Sequence, residues 1–332
     1  MKRMAISGKQ DLMAAQRRYS LPPYTRGWFQ VGWSHELAAG DVKPVRQFGL
    51  DLVMFRGHDG KVGVLDATCP HLGANLACGG TVRESSVVCP YHHWSFDQRG
   101  LCTAIPHAAK IPPNARVHSW PVDERYGLIF VYRDRARSAA PYPLPSMDDF
   151  DTAGWSRPAT RDWRVRIHGQ DIMENSVDSA HFAAVHGHRL PVNTFTAEGK
   201  ELRISQQTEV KKLGFNIRTK LEFHMIEPGF HYLRFRDTPG TQAMVFSSIT
   251  PIDEDEVNHR LTIWVMKTRI PGWTWLLRRF LVSQMMATYV EDMAIWQNKA
   301  YLARPVLCSY DGAIMKLRNW YAQFYEAETS PS

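Results

Sequence analysis

CPHLGANLACGGTVRESSVVCPYHHW, residues 69–94, carries two cysteine–histidine pairs on what read as two loops. One residue separates Cys69 from His71, and two separate Cys89 from His92. Two thiolates and two imidazoles so presented can hold a tetrahedral zinc, or a two-iron cluster with cysteines on one iron and histidines on the other. Zinc fingers usually pair Cys with Cys and His with His along the chain, whereas each loop here gives one of each. That arrangement lets both loops grip opposite irons at once and favours a [2Fe–2S] cluster. Around this stretch, from Gly27 to about Tyr132, short apolar runs alternate with turn residues. DLVMFRGHDGKVGVLDA (51–67) sets two such runs about Asp59-Gly60, a dipeptide suited to a hairpin. The first half is expected to be all-β.

The chain of 332 residues is 44% hydrophobic and 11% aromatic, enough for one large or two ordinary domains with real cores. Its formal charge is +7, but the basic residues are scattered and form no nucleic-acid arm. The charge reads as a diffuse positive surface or as a docking face for an acidic partner protein. Five cysteines, an odd number in a long chain, argue against a secreted disulfide scaffold and fit a reducing cytoplasm. MKRMAISGKQDLMAAQRRYS (1–20) is basic without an apolar core of signal-peptide length, so neither export nor cleavage is expected. WTWLLRRFLVSQMMATYV (273–290) is split by Arg278 and Arg279 and is too short for a comfortable bilayer span. With Trp273, Leu276, Leu277, Phe280 and Leu281 at helical spacing, it reads as an amphipathic helix packed on the core. A membrane-surface helix is the alternative.

RDRARSAAPYPLPSMDDFDTAG (133–154), rich in Pro, Ala and charge, reads as the linker between domains. It divides the chain into an extension (1–26), a β domain (27–140) and a second domain (141–332). The second domain combines a helix around 170–186, strands such as YLRFRD, AMVFSSITPI and HRLTIWVMKT, and a long helical C-terminal stretch, hence α+β. Within the helix, ENSVDSAHFAAVHG (174–187) sets Asp178, His181 and His186 among small and apolar side chains. Asp178 and His181 share a helix face. His186, five residues on, points about 140° away on an ideal helix and meets His181 only if the helix ends, for which Gly187 is the natural stop. Two histidines and a carboxylate with open positions suit a non-haem iron(II) oxygenase centre, and the carboxylate need not be local.

The two motifs together resemble those of the Rieske non-haem iron oxygenases. Cys-Pro-His-Leu-Gly and Cys-Pro-Tyr-His-x-Trp look like the cluster loops of Rieske proteins, with Cys69, His71, Cys89 and His92 as ligands. His93 departs from the small or acidic residue usual there and leaves a register choice, in which the family pattern favours His92. Cys78 and Cys102 match no ligand position, and Tyr91 stands where a loop-to-loop disulfide would need a cysteine. NSVDSAHFAAVHG resembles the family's Asn-x-x-Asp-x-x-His-x-x-x-x-His motif and VEDMAIWQNK its downstream segment. The resemblance implies His181, His186 and Asp292 as iron ligands, with Glu291 the substitute for Asp292. It also implies that Asp178 bridges His181 to His92 of a neighbouring subunit in a head-to-tail homotrimer. Asn175 and Glu174 then support the site or its entrance, with a plain helix-surface role equally open for Glu174. The fold implied is a Rieske domain followed by a helix-grip catalytic domain, an antiparallel sheet with helices.

The C-terminal stretch EDMAIWQNKAYLARPVLCSYDGAIMKLRNWYAQFY (291–325) resembles the oxygenase component of 3-ketosteroid 9α-hydroxylase and the cholesterol 7-desaturase group, as do IPHAAKIPPNARVHSWPV (105–122) and ITPIDED (249–255). That likeness implies a monooxygenase using O2 and two electrons on a steroid or sterol. Aromatic O- or N-demethylation and sterol desaturation or demethylation are the alternatives within the family, and a simple electron carrier is the alternative outside it. Met244, Val245, Phe246, Leu261, Ile263, Trp264 and Met266 could line an apolar substrate site, although alternate residues of any sheet face a core. No nucleotide-binding glycine motif or ferredoxin cysteine set is visible, so NAD(P)H is expected to act through a separate reductase or ferredoxin.

Overall fold

The computed structural model describes residues 18–147, 150–187, 192–212, 215–236, 242–309 and 311–326. The first half contains β1 (Gly27–Trp33), β2 (Val42–Gln47), β3 (Leu50–Arg56), β4 (Val62–Asp66), β5 (Thr81–Arg83), β6 (Ser86–Val88), β7 (Ser95–Phe96), β8 (Cys102–Ala104), β9 (Val122–Arg125) and β10 (Leu128–Arg133). These strands make small sheets in the orders β2-β3-β4, β5-β6-β7-β8 and β1-β10-β9. The hairpin read at Asp59-Gly60 joins β3 to β4, and Gly60 supplies the positive φ of 81° that its turn requires. The all-β reading of this half holds. The two cysteine loops leave the sheets after β4 and after β6.

The second half contains β11 (Ala159–Val165), α1 (Gly169–Asn175), α2 (Ser179–Ala184), β12 (Val192–Glu198), β13 (Glu201–Lys212), β14 (Phe215–Glu227), β15 (Phe230–Arg236), β16 (Ala243–Pro251), β17 (Val257–Val265), α3 (Trp273–Trp296) and α4 (Gly312–Ala322). Its strands form one seven-stranded antiparallel sheet, ordered β11-β17-β16-β15-β14-β13-β12. The α+β class is as expected from the sequence.

Alternation along the strands sends side chains to two faces with different partners. Val245, Leu261 and Ile263 face the helices and pack with Val282, Met285, Met286 and Tyr289 of α3. Met244, Phe246 and Trp264 face the other way and pack with Trp28, Trp33 and Phe130 of the first half. The apolar lining expected from sequence therefore divides: the latter three cement the two halves and line no substrate space. Arg260 reinforces this junction by donating to the Gln30 carbonyl at 2.9 Å, and Trp33 Nε1 donates to Thr262 Oγ1 at 2.9 Å. The expected linker is also part of this core, because Leu144, Met147 and Phe150 are buried in it.

Two sequence expectations are corrected. The helix read around 170–186 is two helices, interrupted at Ser176–Asp178. Asp178 has extended backbone (φ −81°, ψ 96°) and caps α2, its carboxylate accepting from the His181 N–H at 3.0 Å. Aspartate at an N-cap satisfies a helix donor that otherwise lacks a partner, and here it competes with continuation of α1. The second correction concerns α3, where Trp273, Leu276 and Phe280 are 41%, 48% and 53% exposed. The stripe that meets the sheet runs instead through Val282, Met285, Met286, Tyr289, Met293 and Trp296. Among the described residues, no helix is long and apolar enough to cross a membrane.

Candidate metal centres

The two cysteine loops are built alike. In the first, Gly73 N donates to the Cys69 carbonyl and Cys69 N donates to the Ala74 carbonyl. In the second, His93 N donates to the Cys89 carbonyl and Cys89 N to the Trp94 carbonyl. Gly73 and His93 therefore occupy equivalent turn positions, and both have left-handed backbone, φ 79° and 58°. His93 closes its turn in a conformation that favours glycine. The His92 ring instead lies 4.6 Å from the His71 ring, which stacks at 4.6 Å on Trp94. Cys69 and Cys89 are buried side by side, and burial pushes the Cys69 thiol up to about 11. Although each loop gives one residue of each type, space sorts them into a thiol pair and an imidazole pair. That donor set fits a two-iron cluster with one pair on each iron.

The second constellation joins α2 to α3. α2 ends at Ala184, and Gly187 turns left-handed at φ 65°, so His186 lies beyond the helix and swings back towards His181. Asp292 comes from α3. His181 Nε2 is 2.9 Å from Asp292 Oδ1 and 3.0 Å from His186 Nε2, and His186 Nε2 is 3.1 Å from the same oxygen. Two donors at right angles, each about 2.1 Å from an ion, stand about 3.0 Å apart, so the triangle matches one face of an octahedron. Asp292 Oδ1 is buried and, despite these short distances, is not aligned for a hydrogen bond. Three lone-pair donors converging on one point, one a buried carboxylate oxygen, are suited to a cation. Burial raises the Asp292 carboxyl, but the two histidines outweigh it and hold it below the usual carboxylate range.

Comparison with known proteins shows the family. Residues 27–121 match the Rieske [2Fe-2S] domain, and residues 131–325 match the 3-ketosteroid 9alpha-hydroxylase C-terminal domain. The chain belongs to the Rieske oxygenase family. It is 31% identical to cholesterol 7-desaturase nvd 1 of Ciona intestinalis over 97% of this chain and 74% of the relative. It is also 31% identical to a probable 3-ketosteroid-9-alpha-monooxygenase, oxygenase component, of Rhodococcus rhodochrous, over 92% of this chain and 81% of the relative. The fold is shared with NdmA of Pseudomonas putida CBB5 solved with caffeine, at TM-score 0.75 and 19% identity, covering 89% of each chain. Dicamba monooxygenase bound to dicamba superposes at TM-score 0.72 and 20% identity, over 90% of this chain and 97% of that one. This oxygenase component is thus a non-haem iron monooxygenase, with a Rieske cluster, a mononuclear iron and a separate electron-transfer partner implied by its family.

The oxygenase surrounds its triad with further polar groups, several of them in contacts that the sequence did not specify. Glu291, read as a substitute for Asp292, faces the opposite ring nitrogen: His186 Nδ1 donates to Glu291 Oε2 at 2.9 Å. A carboxylate there fixes the tautomer with the proton on Nδ1 and the Nε2 lone pair turned into the triangle. Asn175 Nδ2 lies 3.0 Å from His181 Nε2, at the edge of the triangle. Glu174 is not a surface residue. It is buried in a two-point ion pair with Arg318 of α4, at 2.8 and 2.9 Å, and accepts from Gln170 Nε2. Arg18 donates to the carbonyls of Trp296, Lys299 and Arg166, holding the C-terminal end of α3. Tyr19 is buried in the core beside it, so the extension is docked from Arg18 onward, while residues 1–17 lie outside the described ones. One arginine of an Arg-Arg pair in a basic segment gave no sequence signal for this.

Proposed function

We propose that this chain is the terminal oxygenase of a system that hydroxylates a steroid or sterol. The match of residues 131–325 to the 3-ketosteroid family carries the substrate class. Relatives named for 3-ketosteroid monooxygenation and for cholesterol desaturation support it. In this reading Cys69, His71, Cys89 and His92 hold the cluster, and His181, His186 and Asp292 hold the mononuclear iron. The division into 1–26, 27–140 and 141–332 stands with it. When bound, the mononuclear iron supplies activation of O2 with electrons relayed by the cluster. Glu291 keeps His186 in its metal-binding tautomer, and Asn175 positions a polar amide beside the triad. NAD(P)H serves through a reductase or ferredoxin, in a cytoplasmic setting.

A head-to-tail homotrimer completes the proposal. The loops bearing His71 and His92 present Leu72 and Tyr91, 65% and 61% exposed, as an apolar tip for a neighbouring subunit to cover. Asp178 then bridges His181 to His92 of that neighbour. Asparagine caps a helix as well as aspartate does. Asp178→Asn is therefore expected to keep the fold and both metals while suppressing turnover, and normal product formation would remove the bridge.

Desaturation is the second reading, favoured by the cholesterol 7-desaturase relatives. Mass spectrometry of products from the reconstituted system separates the readings. The proposal expects a 3-ketosteroid or sterol to gain one oxygen, whereas desaturation removes two hydrogens. Turnover of a methoxybenzoate with neither steroid nor sterol consumed would replace both with aromatic demethylation.

A further inference from the structure

The helix-facing side of the seven-stranded sheet is largely apolar, and an amide pair near its β12 edge stands out. Gln206 on β13 is fully buried, yet neither its Nε2 nor its Oε1 has a hydrogen-bond partner among the described residues. Its cross-strand neighbours are Asn193 on β12 and Leu221 on β14. Asn193 Oδ1 is likewise unpartnered, while its Nδ2 donates to Ser179 Oγ at 2.8 Å. Ser179 opens α2, two residues before His181, so the amide pair is tied to the helix that carries part of the metal triad. Ile204, Leu221, Phe223 and Phe195 surround it on the same face.

Leaving both ends of a buried amide unbonded destabilises the unliganded fold, and a bound ligand that pairs with them would remove that cost. We infer that Gln206 and Asn193 anchor the oxygen at one end of an otherwise apolar ligand. This rests on the steroid or sterol class proposed above and names the groups that would recognise it. Gln206 Nε2 donates to a ring ketone, and Gln206 Oε1 or Asn193 Oδ1 accepts from a ring hydroxyl. A single anchor thus serves both oxidation states of that oxygen. Rotation of the Gln206 amide exchanges the two roles.

Calorimetric titration of the metal-loaded full chain tests the anchor. The ligands are a 3-ketosteroid with no other oxygen and its parent hydrocarbon. The wild type is expected to bind the ketone about tenfold more tightly than the hydrocarbon, the worth of one good hydrogen bond. Gln206→Met keeps length and flexibility, and is expected to abolish that preference while the unliganded protein melts at the same or a higher temperature. A preference retained by the variant, or absent from the wild type that binds both ligands, would overturn the anchor and leave the substrate class standing. A variant that fails to fold would overturn it too, since the amide would then be bonded without ligand. A wild type that binds neither ligand would remove the steroid reading itself, and the anchor with it.

Discussion

At the scale of single residues, backbone conformation separates what residue type leaves ambiguous. Two adjacent histidines, His92 and His93, are separated in the sequence only by family resemblance, but in the structure only His93 sits at the left-handed position matched by Gly73. A non-glycine residue there costs about 1–2 kcal/mol, partly offset by the freedom that glycine adds to the unfolded chain. His93→Gly is expected to leave the cluster's visible spectrum unchanged and to stabilise the fold by under about 1 kcal/mol in thermal melts. A bleached spectrum would show that His93, not His92, is the ligand. Glu291 makes the same point from the other side. Sequence names two neighbouring carboxylates, and only the turn of α3 decides which faces the triangle and which faces the far nitrogen of His186.

At the scale of elements, periodicity was legible and its register was not. The helical spacing of 273–281 is real, but the sheet meets a different stripe, beginning at Val282. Which stripe is buried depends on where the helix crosses the sheet, and no local pattern encodes that. The break between α1 and α2 was legible in principle, because Asp178 three residues before His181 is an N-cap signal as much as a shared-face pair. The end of α3 depends on Arg18, which is separated from it by most of the chain. Its guanidinium closes on carbonyls that the helix leaves open, the Trp296 carbonyl at 2.6 Å among them. Arg18→Ala is expected to cost about 1–3 kcal/mol and to raise amide exchange around residues 294–299, one turn beyond Asp292. Unaltered exchange there would mean that the extension holds nothing.

At the scale of the whole molecule, the all-β and α+β halves were legible, and the interface between them was not. Of the residues that could line a substrate site, Met244, Phe246 and Trp264 instead cement the two halves, because strand alternation says that faces differ without saying what covers each. Glu227 lies in that interface, accepting from Trp28 N at 3.0 Å and Tyr142 Oη at 3.2 Å. Burial pushes its carboxyl up from 4.5 to about 7, against the lowering effect of those two donors. The folded protein therefore holds a proton that the unfolded chain has released between about pH 4.5 and pH 7. Stability contributed by this group is full below that window and is lost as pH rises through about 7. Glu227→Gln is expected to gain roughly 2–3 kcal/mol over the wild type on going from pH 4.5 to pH 8, read as a widening gap in melting temperature. A gap independent of pH would place the proton elsewhere. The net charge of +7 acts at the same scale. If it steers an acidic reductase, coupled oxygen uptake should fall as salt rises, and uptake insensitive to salt would exclude such steering.

Both halves meet in one claim, that two metal centres of different chemistry share the chain. Iron and acid-labile sulfide measured on the reconstituted wild type and on Asp292→Ala test it most directly. The expected result is about three irons and two sulfides per chain in the wild type, falling to two irons in the variant with the cluster spectrum intact. Two irons in both proteins would leave a cluster alone, and with it an electron carrier rather than an oxygenase.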